Sequence, residues 1–189
     1  MNGQDQKKDP RKNLIILSAP SATGKNTVYN AVKNIRPDIE RVITATTRDP
    51  RKNEMNGVDY YFMTEDEFQR KRKCGEFVES DCYDGEYYAT PYSEIHRYPE
   101  TTTLFLIINT NGMKSVKKQY PFSKSIFLMP PSIEELNRRI KLRGDNTPED
   151  AENRISIASI EISEAQQYDY VIVNNDVETV AKEIARIIQ

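Results

Sequence analysis

Apolar residues gather in four short runs along an otherwise charged chain, at positions 14–17, 104–108, 126–129 and 171–173. Each run is too short for a helix and too uniformly apolar for a strand with one wet face. That is the pattern of strands buried on both faces of a parallel sheet. Between the runs, apolar residues recur at helical spacing, so the chain reads as successive βαβ units of an α/β fold with helices flanking the sheet.

Several helix boundaries are legible. Ser132-Ile133-Glu134-Glu135 is a capping box opening a helix that should run to about Leu142. Thr147-Pro148-Glu149-Asp150 offers an N-cap, a proline at the first helical position and two early acids, and predicts a helix reaching about Gln167. A last helix is expected from about Val177 to Ile188. Between Arg41 and Tyr92 the pattern changes to short tyrosine-rich segments separated by the turn signals Asn56-Gly57 and Asp84-Gly85. One capped helix begins there at Thr64-Glu65-Asp66-Glu67. The expectation is a small antiparallel β lobe at about 41–92, inserted into a core formed by 13–40 and 93–189. Residues 1–12 are polar and read as a flexible tail.

Composition narrows the function. A chain of 189 residues suits one such domain. Lys and Arg number 27 against 29 Asp and Glu, and the net charge of −2 gives no general attraction to nucleic acid or membrane surfaces. No apolar run nears the ~20 residues of a membrane span. Cys74 and Cys82 lack metal-site spacing, so reduced thiols in a cytoplasmic protein are expected. His96 is the only histidine and reads as a partly exposed helix residue, so the chemistry runs without imidazole.

The first apolar run pours into Ala19-Pro20-Ser21-Ala22-Thr23-Gly24-Lys25-Asn26 and then a helix. Strand, small-residue loop, Gly-Lys and helix make a P-loop. Small residues let backbone N–H groups turn inward around phosphate oxygens, the helix N-terminus adds a favourable dipole, and the lysine reaches the terminal phosphates. Ala19 replaces the first glycine, and Asn26 replaces the hydroxyl that usually binds Mg²⁺. An amide oxygen can also serve a hard cation, and Thr27 lies next to it.

A second set of chemistry-bearing residues lies in the inserted lobe. Thr44, Arg48 and Arg51 precede Tyr60; Glu79 follows in Gly75-Glu76-Phe77-Val78-Glu79, and Tyr87-Tyr88-Ala89-Thr90 comes last. Guanidinium forks and phenol O–H groups can hold a phosphate dianion, while a carboxylate can accept the two N–H donors of guanine's edge. Taken singly, the tyrosines could be cross-strand packing and Glu79 a surface charge.

In order and spacing these stretches resemble the guanylate kinase family, and the likeness runs from about Asn13 to Gln189. It is carried by Thr46-Thr47-Arg48, Gly57-Val58-Asp59-Tyr60, Gly75 to Glu79, Tyr87-Tyr88, Arg139-Ile140-Lys141-Leu142-Arg143-Gly144 and Tyr168-Asp169-Tyr170-Val171-Ile172-Val173-Asn174. The resemblance implies transfer of the γ-phosphate of ATP to GMP with Mg²⁺ as cofactor, on a P-loop core with a lid at about 137–156. It implies that Arg48, Arg51, Tyr60 and Tyr88 grip the GMP phosphate, and that Glu79, Thr44, Thr90 and Asn109 read guanine. Ala19 to Thr27 and Asn174 would hold ATP, and Asn26 would face the metal. Lys25, Arg139, Arg143 and Arg154 would stabilise the transferring phosphoryl group, Arg138 remaining a solvated neighbour. ATP and GMP are the expected partners, with no nucleic acid and no membrane, and a homodimer is compatible with the likeness.

The chain also departs from the family. Ile107 and Asn109 stand where the family has carboxylates, which predicts weaker Mg²⁺ binding and a neutral acceptor for the guanine amino group. Ala89 replaces a glycine beside Tyr88. These changes allow a second reading: a catalytically weak or inactive guanylate-kinase-like domain that binds GMP or phosphorylated protein segments. Lys25 and the lid arginines stand against it. A kinase for another nucleoside monophosphate is a third reading, against which Glu79 argues.

Overall fold

Alternate side chains of the first strand enter two separate cores, and the architecture follows from that. Leu14 and Ile16 join one buried cluster, Ile15 and Leu17 the other. The computed structural model describes residues 13–142 and 148–188. Its first half contains β1 (Leu14–Ser18), α1 (Lys25–Ile35), β2 (Ile39–Arg41), β3 (Thr44–Thr46), β4 (Tyr60–Phe62), α2 (Glu65–Lys73), β5 (Phe77–Tyr83), β6 (Glu86–Pro91) and α3 (Tyr92–His96). The second contains β7 (Thr103–Ile107), α4 (Thr110–Gln119), β8 (Lys124–Met129), α5 (Ile133–Leu142), α6 (Pro148–Ser163), β9 (Tyr170–Val173) and α7 (Val177–Ile187).

Five strands form an all-parallel sheet in the order β2-β7-β1-β8-β9. One face packs on α1 and α7 through Val28, Val32, Val180 and Ile184; the other packs on α3 and α4 through Ile95, Met113 and Val116. The four apolar runs are all in this sheet, but the one at 171–173 is not buried on both faces: β9 is an edge strand in which only Ile172 is buried, while Val171 and Val173 are exposed. The short edge strand β2, with only Ile39 fully buried, carries too little apolar pattern to be foreseen.

The inserted lobe is a four-stranded sheet in the order β4-β3-β6-β5, and it corrects the expectation of an antiparallel one. β3 pairs antiparallel with β6, and β5 with β6, but β3 and β4 run parallel. The cause lies in 47–59: instead of a tight hairpin, a long connection carries the chain back to its starting end. It closes at Gly57 (φ 76°), whose N–H donates to the Tyr60 carbonyl. Asp84 and Gly85, at φ 54° and 80°, make the turn between β5 and β6 as their sequence signals. Ala89, which replaces the glycine, sits in mid-strand and is fully buried.

The capping signals act as read. Ser132 Oγ accepts from Glu135 N–H at 3.1 Å and Thr64 Oγ1 from Glu67 N–H at 3.3 Å. The helix expected to reach Gln167 ends at Ser163. There the Glu164 N–H is shared between the carbonyls of Ile160 and Glu161, and the chain tightens into a 3₁₀ turn, Ala165–Gln167. The expected tail at 1–12 and the Thr147 cap lie outside the described residues. Helices α5 and α6 pack together through Leu136, Ile140, Ala151 and Ala158, and Ala22 of the loop after β1 rests on that cluster.

Candidate functional site

At the carboxyl ends of β1 and β7, where parallel sheets bind their ligands, a cleft of about 1110 Å³ opens between the sheet, the lobe and the α5–α6 pair. It exceeds what one drug-sized ligand fills.

One end is the loop after β1. Gly24 holds φ 96°, a left-handed conformation natural only to glycine, and so turns the chain into α1. Ala22 adopts φ 63° without glycine's freedom. Lys25 Nζ lies 2.5 Å from the Ala19 carbonyl oxygen and 3.3 Å from that of Pro20, folded back across the loop. Ala19, Ser21, Ala22, Gly24, Lys25, Asn26 and Thr27 line the cleft; Pro20 and Thr23 are buried behind it. Asn174, also buried, donates from Nδ2 to the Thr23 carbonyl at 2.8 Å and so braces the loop from behind.

The other end is built by the lobe. Arg48 lies 5.4 Å over the ring of Tyr60 and 5.8 Å from that of Phe62, and Tyr60 meets Tyr88 edge-on. Between Arg48 and Arg51 sits Glu54, 2.9 Å from the first guanidinium and 3.6 Å from the second. Its carboxyl is held below the ordinary range by the Arg51 backbone N–H and both guanidiniums, which outweigh its burial. An anion therefore already bridges these two arginines.

Deeper in, Glu79 is 8% exposed and Thr90 fully buried, with Thr90 Oγ1 donating to Glu79 Oε1 at 2.6 Å. Burial raises the Glu79 carboxyl to about 7, assisted by the charge of Asp81 and opposed by Thr90. Thr44 lines the cleft beside it. Asn109 caps α4, its Oδ1 accepting from Gly112 N–H at 2.9 Å and its Nδ2 donating to Asp81 Oδ2 at 2.6 Å. Ile107 brings an apolar surface to the strand end.

The third wall carries the arginines of α5 and α6. Arg139 lines the cleft and donates to Glu135 at 2.7 Å; Arg138 pairs with the same carboxylate on the exposed side. Arg154 donates to Asp84 Oδ2 at 2.9 Å. Arg143 lies outside the described residues. Glu161, 8% exposed, has an Oε2 with no partner among the described residues, and burial raises its carboxyl to about 7 against the opposing charge of Lys25.

Among the described residues no group of three or more His, Cys, Asp or Glu side chains could cage a metal. The donors present, the Asn26 amide and a nearby hydroxyl at Thr27, fit an ion that arrives with phosphates and water as most of its ligands. Mg²⁺ prefers that arrangement.

Sequence reasoning missed Glu54, Asp81, Asp84 and Glu161. Glu54 had a readable signal, lying three residues after Arg51. Asp81 and Asp84 meet their partners, and Glu161 becomes buried, only through tertiary folding. His96 is exposed on α3, with Nδ1 2.9 Å from the Tyr92 carbonyl, remote from the cleft lining.

The sequence pattern of the guanylate kinase family matches residues 11–189. A guanylate kinase of Prochlorococcus marinus subsp. pastoris is 40% identical over 179 residues, covering 94% of this chain and 97% of the relative. One from Bacillus subtilis is 40% identical over 177 residues, covering 93% and 87%. The crystal structure of guanylate kinase from Anaplasma phagocytophilum superposes with a TM-score of 0.77 at 33% identity, covering 94% of this chain and 84% of that one.

Proposed function

The chain belongs to the guanylate kinase family and transfers the γ-phosphate of ATP to GMP, and on that premise we propose how its residues divide the work. ATP lies in the loop after β1 and GMP in the lobe, so that the γ-phosphate of ATP meets the GMP phosphate under the α5–α6 pair. The observation that carries this division is the single cleft with a lysine-bearing phosphate cradle at one end and an arginine pair, already bridged by a carboxylate, at the other.

Backbone N–H groups of residues 21–26 hold the ATP phosphates, and Lys25 moves from the Ala19 carbonyl to their oxygens. Arg48, Arg51, Tyr60 and Tyr88 bind the GMP phosphate, which displaces or shares the place of the Glu54 carboxylate. Glu79, ionised on binding, accepts N–H groups from the guanine edge, with Thr90 fixing its geometry and Thr44 and Asn109 beside it. Arg139, Arg143 and Arg154 complete the site around the transferring group, where charge spreads over the phosphoryl oxygens. The attacking phosphate is anionic, so no general base is needed. Mg²⁺ would be held by the ATP phosphates with Asn26 and would neutralise charge on them.

Residues 13–40 and 93–189 would serve as core, about 41–92 as GMP lobe and about 137–156 as lid. A cytoplasmic setting suits the substrates and exposed thiols of Cys74 and Cys82. No described helix is long and apolar enough to cross a membrane.

The test is ADP formation from ATP with GMP, AMP, CMP or UMP in Mg²⁺ and in Mn²⁺, beside Lys25→Ala. Turnover with GMP alone, lost in the variant while GMP binding persists, is expected. Equal loss of turnover and GMP binding would break the assignment of two separate phosphate sites.

A further inference from the structure

Guanine presents three donors along one edge: its ring N1–H and both N–H bonds of the 2-amino group. The Glu79 carboxylate, with one oxygen shared with Thr90, can take N1–H and one amino N–H. The second amino N–H then points onward along the same edge and, if buried without an acceptor, carries a penalty.

The acceptors within reach are few. Ile107 and Ile108 line that part of the cleft and offer none. Asn109 is engaged at both ends, accepting from Gly112 and donating to Asp81. Asp81 remains. It stands two residues beyond Glu79 on β5, so both side chains leave the same face of the strand, and both line the cleft. Its charge reaches Glu79 strongly enough to help raise that carboxyl. Asn109 Nδ2 at 2.6 Å and Asn111 Nδ2 at 3.1 Å both donate to Oδ2. Among the described residues no hydrogen bond engages Oδ1. Two amides thus fix the carboxylate through one oxygen and leave the other available.

We propose that Asp81 is a specificity-determining residue, its Oδ1 accepting the second N–H of the guanine 2-amino group and supplying the negative charge that Asn109 lacks. The proposal rests on the placement of the base against Glu79. A charge-assisted hydrogen bond here selects a 2-amino purine over the same purine without it, because the latter covers a carboxylate oxygen without pairing it.

Asp81→Asn isolates this role. The amide oxygen can still accept from Asn109 and Asn111, which holds the side chain in place, while the NH₂ replacing Oδ1 confronts the amino group donor to donor. Equilibrium binding of GMP and of inosine monophosphate, which lacks only the 2-amino group, is measured on wild type, Asp81→Asn, Asn109→Ala and the double variant. Asp81→Asn should weaken GMP about tenfold or more and leave inosine monophosphate within about twofold, in both backgrounds. Equal weakening of both nucleotides would overturn the proposal and make Asp81 a packing group. No further loss when Asp81→Asn is added to Asn109→Ala would overturn it too, since Asp81 would then act only through Asn109. Wild type that binds both nucleotides equally would remove the base from Glu79 and take the underlying site assignment with it, whereas discrimination that survives Asp81→Asn removes this proposal alone.

Discussion

Arg48 shows how one residue's position can be over-determined before any ligand arrives. Its guanidinium lies beside two neighbouring aromatic rings, Tyr60 and Phe62, donates to the Asp49 carbonyl at 2.6 Å and pairs with Glu54. Glu54 is in turn fixed by the Arg51 N–H at 2.9 Å, so the acid orients the arginines and mimics the anion they are to receive. Removing the guanidinium should therefore strike one substrate only. Arg48→Ala should weaken GMP binding about tenfold to a hundredfold, the worth of a charge-assisted contact, with ATP affinity within about twofold when each nucleotide is titrated alone. Unchanged GMP affinity would take Arg48 out of the clamp. Residues of this kind were legible because guanidiniums and phenols in a fixed order are rare by accident. Asp81 was not, since an acid in a charged chain is silent until the fold shows which amide it faces.

At the scale of elements, the strands declared themselves by apolar runs and the helices by their caps, because both signals are local. The parallel pairing of β3 and β4 was illegible for the opposite reason: it depends on the path of a thirteen-residue connection that has no periodicity (47–59). The same holds for the tie between α6 and the β5–β6 turn. Asp84 accepts from Arg154 at 2.9 Å and from Asn153 at 2.8 Å, joining the β5–β6 turn to α6 across 70 residues of sequence. Both partners of the ion pair are largely shielded from water, at 17% and 21% exposure, which lifts it above the ordinary surface bridge. Asp84→Ala should speed amide hydrogen exchange in the first half of α6 about tenfold and leave β1 and β7 unaffected. Unaltered exchange in α6 would show that the packing of Ala151 and Ala158 against α5, and not this tie, holds the helix down.

For the molecule as a whole, the cleft is purchased with buried acid. Glu79 and Glu161 are each 8% exposed, and burial raises both carboxyls to about 7 from an ordinary 4.5. The folded chain therefore holds protons between about pH 4.5 and 7 that the unfolded chain has released. Where the unfolded state binds fewer protons, stability falls as pH rises, by up to about 1.4 kcal/mol per pH unit for each group. Their contribution is complete below pH 4.5 and lost above 7. Thermal unfolding of the nucleotide-free protein should accordingly give a lower midpoint at pH 8 than at pH 5. Glu79→Gln and Glu161→Gln should each shrink that difference, since a neutral amide has no proton to lose. A slope unmoved by either variant would place the linkage elsewhere. GMP should reverse the trend for one of the two: guanine's N–H donors bind the ionised Glu79, so the rise in midpoint at saturating GMP should be larger at pH 8 than at pH 6, and Glu79→Gln should shrink that excess to the part owed to the second ionisation of the GMP phosphate, at about pH 6, while Glu161→Gln keeps it whole.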